Sequence, residues 1–109
     1  MKRSELWTAA GGSRYVGKPR PVLIVQEDRF NENDSITVCP LTSDPSDLPL
    51  FRILIGPSPS NGLLLPSRVM VDKVSTVLRD NLASRIGQLT APEMIRVDRA
   101  LLIFLGLAR

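Results

Sequence analysis

The strongest local signal in this chain lies near its end. Thr90-Ala91-Pro92-Glu93 has the form of a helix start. Thr is an N-cap whose hydroxyl satisfies an orphan N–H, Glu three residues later reaches back to the cap, and Pro in the first turn needs no N–H partner. Met94, Val97, Leu101 and Phe104 then recur at helical spacing, Leu105 widens the stripe and Gly106 is the stop. Ahead of this helix the chain is a succession of short extended runs: Ser4 to Thr8, Val22 to Val25, Ile36 to Leu41, and Phe51 to Ile55. Leu63 to Leu65 and Arg68 to Val71 read as one strand kinked at Pro66, with Ser75 to Leu78 continuing it. Val22-Leu23-Ile24-Val25 is continuous rather than alternating, as expected of a strand buried on both faces. Ile36 to Leu41 alternates and then meets Pro40, which predicts a distorted strand end. Glycine, proline and polar stretches (11–19, 27–34, 42–47 and 56–62) separate the runs. Strands first and one helix last predict a mostly β protein, a small antiparallel barrel or curled sheet with a C-terminal helix packed on it.

Composition narrows the chemistry. The 109 residues are 43% hydrophobic and 23% charged, and they predict a single domain over 1–109 with a core of its own. There is one cysteine, Cys39, so an internal disulfide is excluded, and its place between Val38 and Pro40 reads as a small buried hydrophobe. There is no histidine, which removes every histidine-based triad and metal site. The net charge is +3, and most of the basic residues are Arg, the better planar donor to phosphate. Met1-Lys2-Arg3 is not followed by a useful apolar stretch, and Ala100 to Leu105 is too short to span a membrane, so a cytoplasmic protein with no membrane partner is expected.

Five segments then occur in a telling order. Glu5-Leu6-Trp7 lies in the first strand, Gly17-Lys18-Pro19-Arg20-Pro21 leads into the second, and Val38 to Ser43 runs into a Thr/Ser loop. Val71-Asp72-Lys73-Val74-Ser75-Thr76 and Ser84-Arg85-Ile86-Gly87-Gln88-Leu89 follow. Together, from about Ser4 to Leu107, they resemble the MazF/PemK (Kid) toxins. The resemblance implies an SH3-like antiparallel barrel of the MazF/Kid/CcdB type. It also implies metal-independent, cofactor-free, sequence-preferring cleavage of single-stranded RNA, a homodimer, and an acidic antitoxin that neutralises it. One segment departs from the family: Ala9 to Val16 is shorter and basic where the family has a longer acidic stretch.

The resemblance also assigns residues. Arg20 matches the catalytic arginine, and its flanking prolines fix the backbone from which a guanidinium presents a planar fork to a phosphoryl group. Thr42 matches the hydroxyl that donates to a phosphate oxygen, a role Ser43 takes if the register shifts by one. Asp72 matches the general base of some members, although Met70 stands where those members have an arginine. Beside Arg20 such a carboxylate is ionised and a poor base, so a positioning role for Asp72 stays open. By residue type, Arg14, Lys18, Lys73 and Arg79 are expected as phosphate contacts and Tyr15 as a base-stacking residue. Trp7 reads as core, and the helix stripe as core or dimer surface. Val74 to Leu82 and the helix end are the expected dimer contacts. The expected partners are single-stranded RNA (messenger, with transfer or ribosomal RNA as other classes), the antitoxin and a second copy. Two other readings use the same fold: a CcdB-like toxin that binds gyrase, and an inactive paralogue that binds RNA or antitoxin.

Overall fold

A computed structural model describes residues 1–10 and 20–108. The strands are β1 (Glu5–Ala9), β2 (Arg20–Ile24), β3 (Ser35–Thr42), β4 (Arg52–Ile55), β5 (Ser67–Met70), β6 (Ser75–Leu78) and β7 (Leu82–Gln88), followed by the helix α1 (Ala91–Phe104). All pairings are antiparallel. The sheet runs β4-β5-β3-β2-β1-β7, and β6 joins β3. The expectation of a mostly β chain with one closing helix holds.

The eight-residue β3 organises the fold. On one edge it pairs with β2, Val22 opposite Pro40. On the other edge it pairs first with β6, from Ser35 to Val38, and then with β5, at Leu41 and Thr42. Cys39 and Pro40 fall in the gap where that edge changes partner, so a residue without an N–H interrupts no ladder there. The strand therefore continues through Pro40 to Thr42 instead of ending distorted.

Period-two alternation divides the apolar residues between two cores. Leu6, Leu23, Cys39, Leu41 and Val69 face α1, where Met94, Val97 and Ala100 close the larger core. Ala9, Val22, Ile24, Ile36 and Val38 face the other way with Leu82. The central sheet is thus covered on both faces, as the run in β2 predicts. The helix begins where expected: Thr90 Oγ1 accepts the Glu93 N–H at 3.3 Å, and Glu93 Oε1 accepts the Thr90 N–H at 2.9 Å. Met94, Val97 and Ala100 bury one stripe of it, whereas Leu102 to Leu105 are exposed at its end.

One predicted element is absent. Leu63 to Leu65 is not part of a strand. Gly62 has φ +68°, a left-handed conformation that ends the turn and points the following leucines in different directions. Leu63 is buried, while Leu64 is 94% and Leu65 60% exposed. β5 begins only after Pro66.

Candidate active site

At the Thr42 end of β3 the structure opens into a cavity of about 320 Å³. Arg20 and Pro21 line it from β2, Thr42 and Ser43 from the end of β3, and Thr8 from β1. The Gly62–Leu65 turn forms a wall of it, with Ser67 and Ile86. Neither a carboxylate nor an amine is among these lining groups, so Arg20 supplies their formal charge.

Each polar group is held by local structure. Arg20 is the first residue of β2 and is exposed, paired through its backbone with Ala9. Thr42 Oγ1 accepts the Asp44 N–H at 3.1 Å. A hydroxyl that accepts from backbone keeps its own proton free to donate, here at the mouth of the cavity. The turn opposite is pinned by Asn61, which is fully buried. Its Oδ1 accepts from the Ser58 and Leu63 N–H groups, each at 3.0 Å, and its Nδ2 donates to the Gly56 carbonyl at 2.8 Å. Gly87 of β7 lies against this turn. A Cβ there would sit 2.5 Å from the Ser60 carbonyl oxygen.

Of the residues expected from sequence, Arg20, Thr42 and Ser43 meet in this cavity. Asp72 does not line it. It lies in the short turn Val71–Lys73 after β5, and both its oxygens accept from Arg52, from Nε at 2.9 Å and Nη2 at 3.0 Å. This bidentate partner holds the Asp72 carboxyl below its ordinary value. A carboxylate engaged in this way is a weak proton acceptor. Lys73, exposed in the same turn, does not line the cavity either. Arg79 is used structurally: its Nε donates to the Asn33 carbonyl at 3.0 Å and its N–H to that of Asp34 at 2.8 Å. Arg14, Tyr15 and Lys18 lie outside the described residues. Cys39 is fully buried, and its thiol is pushed up to about 12 by burial and, secondarily, by the Asp72 charge. Trp7 packs against the second core and donates to Glu5 at 3.0 Å.

Thr8, Ser67 and the leucine turn were missed because they join the cavity through strand register and a left-handed glycine, neither of which has a short-range pattern. The Asp72–Arg52 pair yields a first prediction. Asp72→Asn is expected to leave the cavity as it is and to lower stability by about 1 kcal/mol, as for a partly buried pair. Because folding lowers the Asp72 value, its contribution is complete above the ordinary aspartate range and is lost as pH falls through the lowered value. The gap in melting temperature between the two proteins should therefore close on acidification from neutral pH.

Comparisons with known proteins decide the family. A family model described as PemK-like, MazF-like toxin of type II toxin-antitoxin system matches residues 2–105. The chain belongs to this family. A probable endoribonuclease MazF from Mycolicibacterium smegmatis is 52% identical over 108 residues, which is 99% of both chains. Endoribonuclease MazF9 of Mycobacterium tuberculosis is 28% identical over 98% of each. Among solved structures, the Mycobacterium tuberculosis toxin MazF-mt6 aligns with a TM-score of 0.80 at 25% identity, over 96% of this chain and 99% of that one. A mycobacterial endoribonuclease in complex with its cognate antitoxin superposes at 0.81 and 24% identity over 100% and 98%, a likeness of fold. In this MazF-like toxin, no described helix is long and apolar enough to cross a membrane.

Proposed function

We propose that this MazF-like toxin, acting as one domain over the whole chain, is an endoribonuclease that cleaves single-stranded RNA at the cavity holding Arg20 and Thr42. The observation that carries the reading is their convergence with Ser43 on one opening, one guanidinium and two hydroxyls without a competing carboxylate among the lining groups. In the reaction the substrate's own 2′-oxygen attacks the adjacent phosphorus as its proton passes to water. The 5′-oxygen leaves and takes up a proton from water, giving a 2′,3′-cyclic phosphate and a 5′-hydroxyl. Negative charge accumulates on the non-bridging oxygens during attack. A preorganised guanidinium and hydroxyl aimed there lower the barrier because they need not reorient. Arg20 acts as charge stabiliser. Thr42 and Ser43 donate hydrogen bonds to the same oxygens. The chemistry needs neither cofactor nor metal.

The partners follow from the same surfaces. A chain of +3 net charge with a cationic site suits an acidic, partly disordered antitoxin segment that folds over the opening. Exposed Leu78 on β6 and Leu102 to Leu105 on α1 offer apolar area for a second copy. A toxin that cleaves RNA and is neutralised by an antitoxin would act in the cytoplasm.

The test is cleavage of a long single-stranded RNA in EDTA, with the ends mapped and typed. Discrete cuts bearing cyclic phosphate and 5′-hydroxyl ends are expected. Thr42→Val should slow single-turnover cleavage roughly tenfold to a hundredfold, the range for one hydrogen bond to developing charge. Intact RNA with folded protein would overturn the nuclease reading.

A further inference from the structure

We propose that Arg68 is a second RNA-binding residue of this toxin, holding a phosphate next to the one that Arg20 engages; the proposal rests on the nuclease reading above. It comes from strand register. The β3–β5 pairing sets Thr42 directly opposite Arg68. The β2–β3 pairing sets Val22 opposite Pro40, and the same register carried two residues further, to the ends of both strands, would set Arg20 opposite Thr42. Directly opposed residues share a face of an antiparallel sheet. Arg20, Thr42 and Arg68 therefore form one row across three neighbouring strands. Strands are about 4.8 Å apart, so the two arginine backbones stand about 10 Å apart with the hydroxyl between them.

The charges along this row are unbalanced. Arg52, which stands two residue pairs along on β4, is neutralised by Asp72. Arg68 takes part in none of the ion pairs among the described residues. Segment 11–19, outside the described residues, contains neither Asp nor Glu. The one hydrogen bond that Arg68 makes is from Nη1 to the Asp44 main-chain carbonyl, at 3.3 Å. That bond uses one of five donors and aims the half-buried guanidinium toward the loop that carries Ser43. The Asp44 carboxylate lies near enough to feel Arg68 but forms no ion pair with it, accepting instead from the Ser46 N–H at 3.0 Å and its hydroxyl at 2.9 Å.

Two guanidiniums on one face, with only a hydroxyl between them, repel each other when the site is empty. An anion lying along the row relieves the repulsion. Their separation suits a strand with successive phosphates better than one isolated anion. Arg68 would thus grip the backbone beside the bond being cut, adding affinity and orientation without touching the reacting phosphorus.

The experiment measures kcat and KM on a short RNA with one mapped cleavage site, over a series of salt concentrations, for the wild type, Arg68→Ala and Arg68→Lys. For Arg68→Ala a KM increase of about tenfold is expected, the scale of one charge-assisted hydrogen bond, with kcat within about twofold. The slope of log kcat/KM against log salt should become shallower by about 0.7, one phosphate contact on a single strand, whatever the flanking bases. Arg68→Lys should restore the slope and part of the KM. An unchanged KM and slope in Arg68→Ala would overturn the proposal. A lower melting temperature with an unchanged slope would do the same, by reducing Arg68 to a prop for the Asp44 loop. A wild type that does not cut would sink the nuclease reading instead. Equilibrium binding of the same RNA, with the same salt series and variants, would then decide Arg68 separately.

Discussion

Arg20→Ala is expected to reduce single-turnover RNA cleavage by on the order of 10³-fold, with melting temperature and circular dichroism unchanged. Two features lead to this expectation. Arg20 supplies the formal charge among the lining groups of the cavity, so no neighbour there compensates for its loss. It is also exposed at the first position of β2, ahead of the buried Leu23, so truncating it removes no core contact. Arg20→Lys keeps the charge but loses the planar fork, and it should fall between wild type and Arg20→Ala. The measurement is the rate at saturating enzyme on the mapped RNA, in EDTA. A variant within threefold of wild type would remove Arg20 from the chemistry. If folding were lost along with activity, the Arg20→Lys rate would still report on the side chain.

The largest expected effect on stability is at Asn61. Asn61→Ala should destabilise the fold by about 3 kcal/mol, since it leaves the buried Leu63 N–H, and the part-buried Ser58 N–H and Gly56 carbonyl, without their partner. For a domain of this size that corresponds to a fall in melting temperature on the order of 15 °C. The partners are the Ser58 and Leu63 N–H groups and the Gly56 carbonyl, so the change frees both ends of the turn whose residues Gly62 to Leu65 line the cavity. Below its melting temperature the variant should bind RNA more weakly while retaining Arg20-dependent chemistry. Thermal and urea unfolding give the stability, and KM against kcat gives the rest. A loss under 1 kcal/mol would mean that water replaces the amide.

These residues also mark where sequence reading succeeds and where it runs out. The Thr90–Glu93 cap was legible because all of its partners lie within one turn, and β2 was legible because four successive apolar residues need cover on both faces. Arg20 and Thr42 were found through the motifs around them. Composition alone does not distinguish Arg20 from ten other arginines. The path of β3 through Pro40 was not legible, because it depends on β5 and β6 sharing one edge. Arg68 had no signal for the same reason: its meaning lies in being opposite Thr42. Asp72 was legible as an acid but not as the partner of Arg52, which is twenty residues away in sequence.

The pairing of β1 with β7 has a consequence for how such a toxin is made. Glu5 lies opposite Gln88, so the first strand waits for the last before its outer edge is satisfied. Ile86, from that last strand, also lines the cavity, and Gly87 backs the turn that forms its wall. Contacts this far apart in sequence form late and slowly. During synthesis the β2–β3 pairing can bring Arg20 and Thr42 together early, yet the Gly62–Leu65 wall of their opening lacks its backing until β7 has followed. The cavity is therefore complete only once nearly all of the chain has been translated.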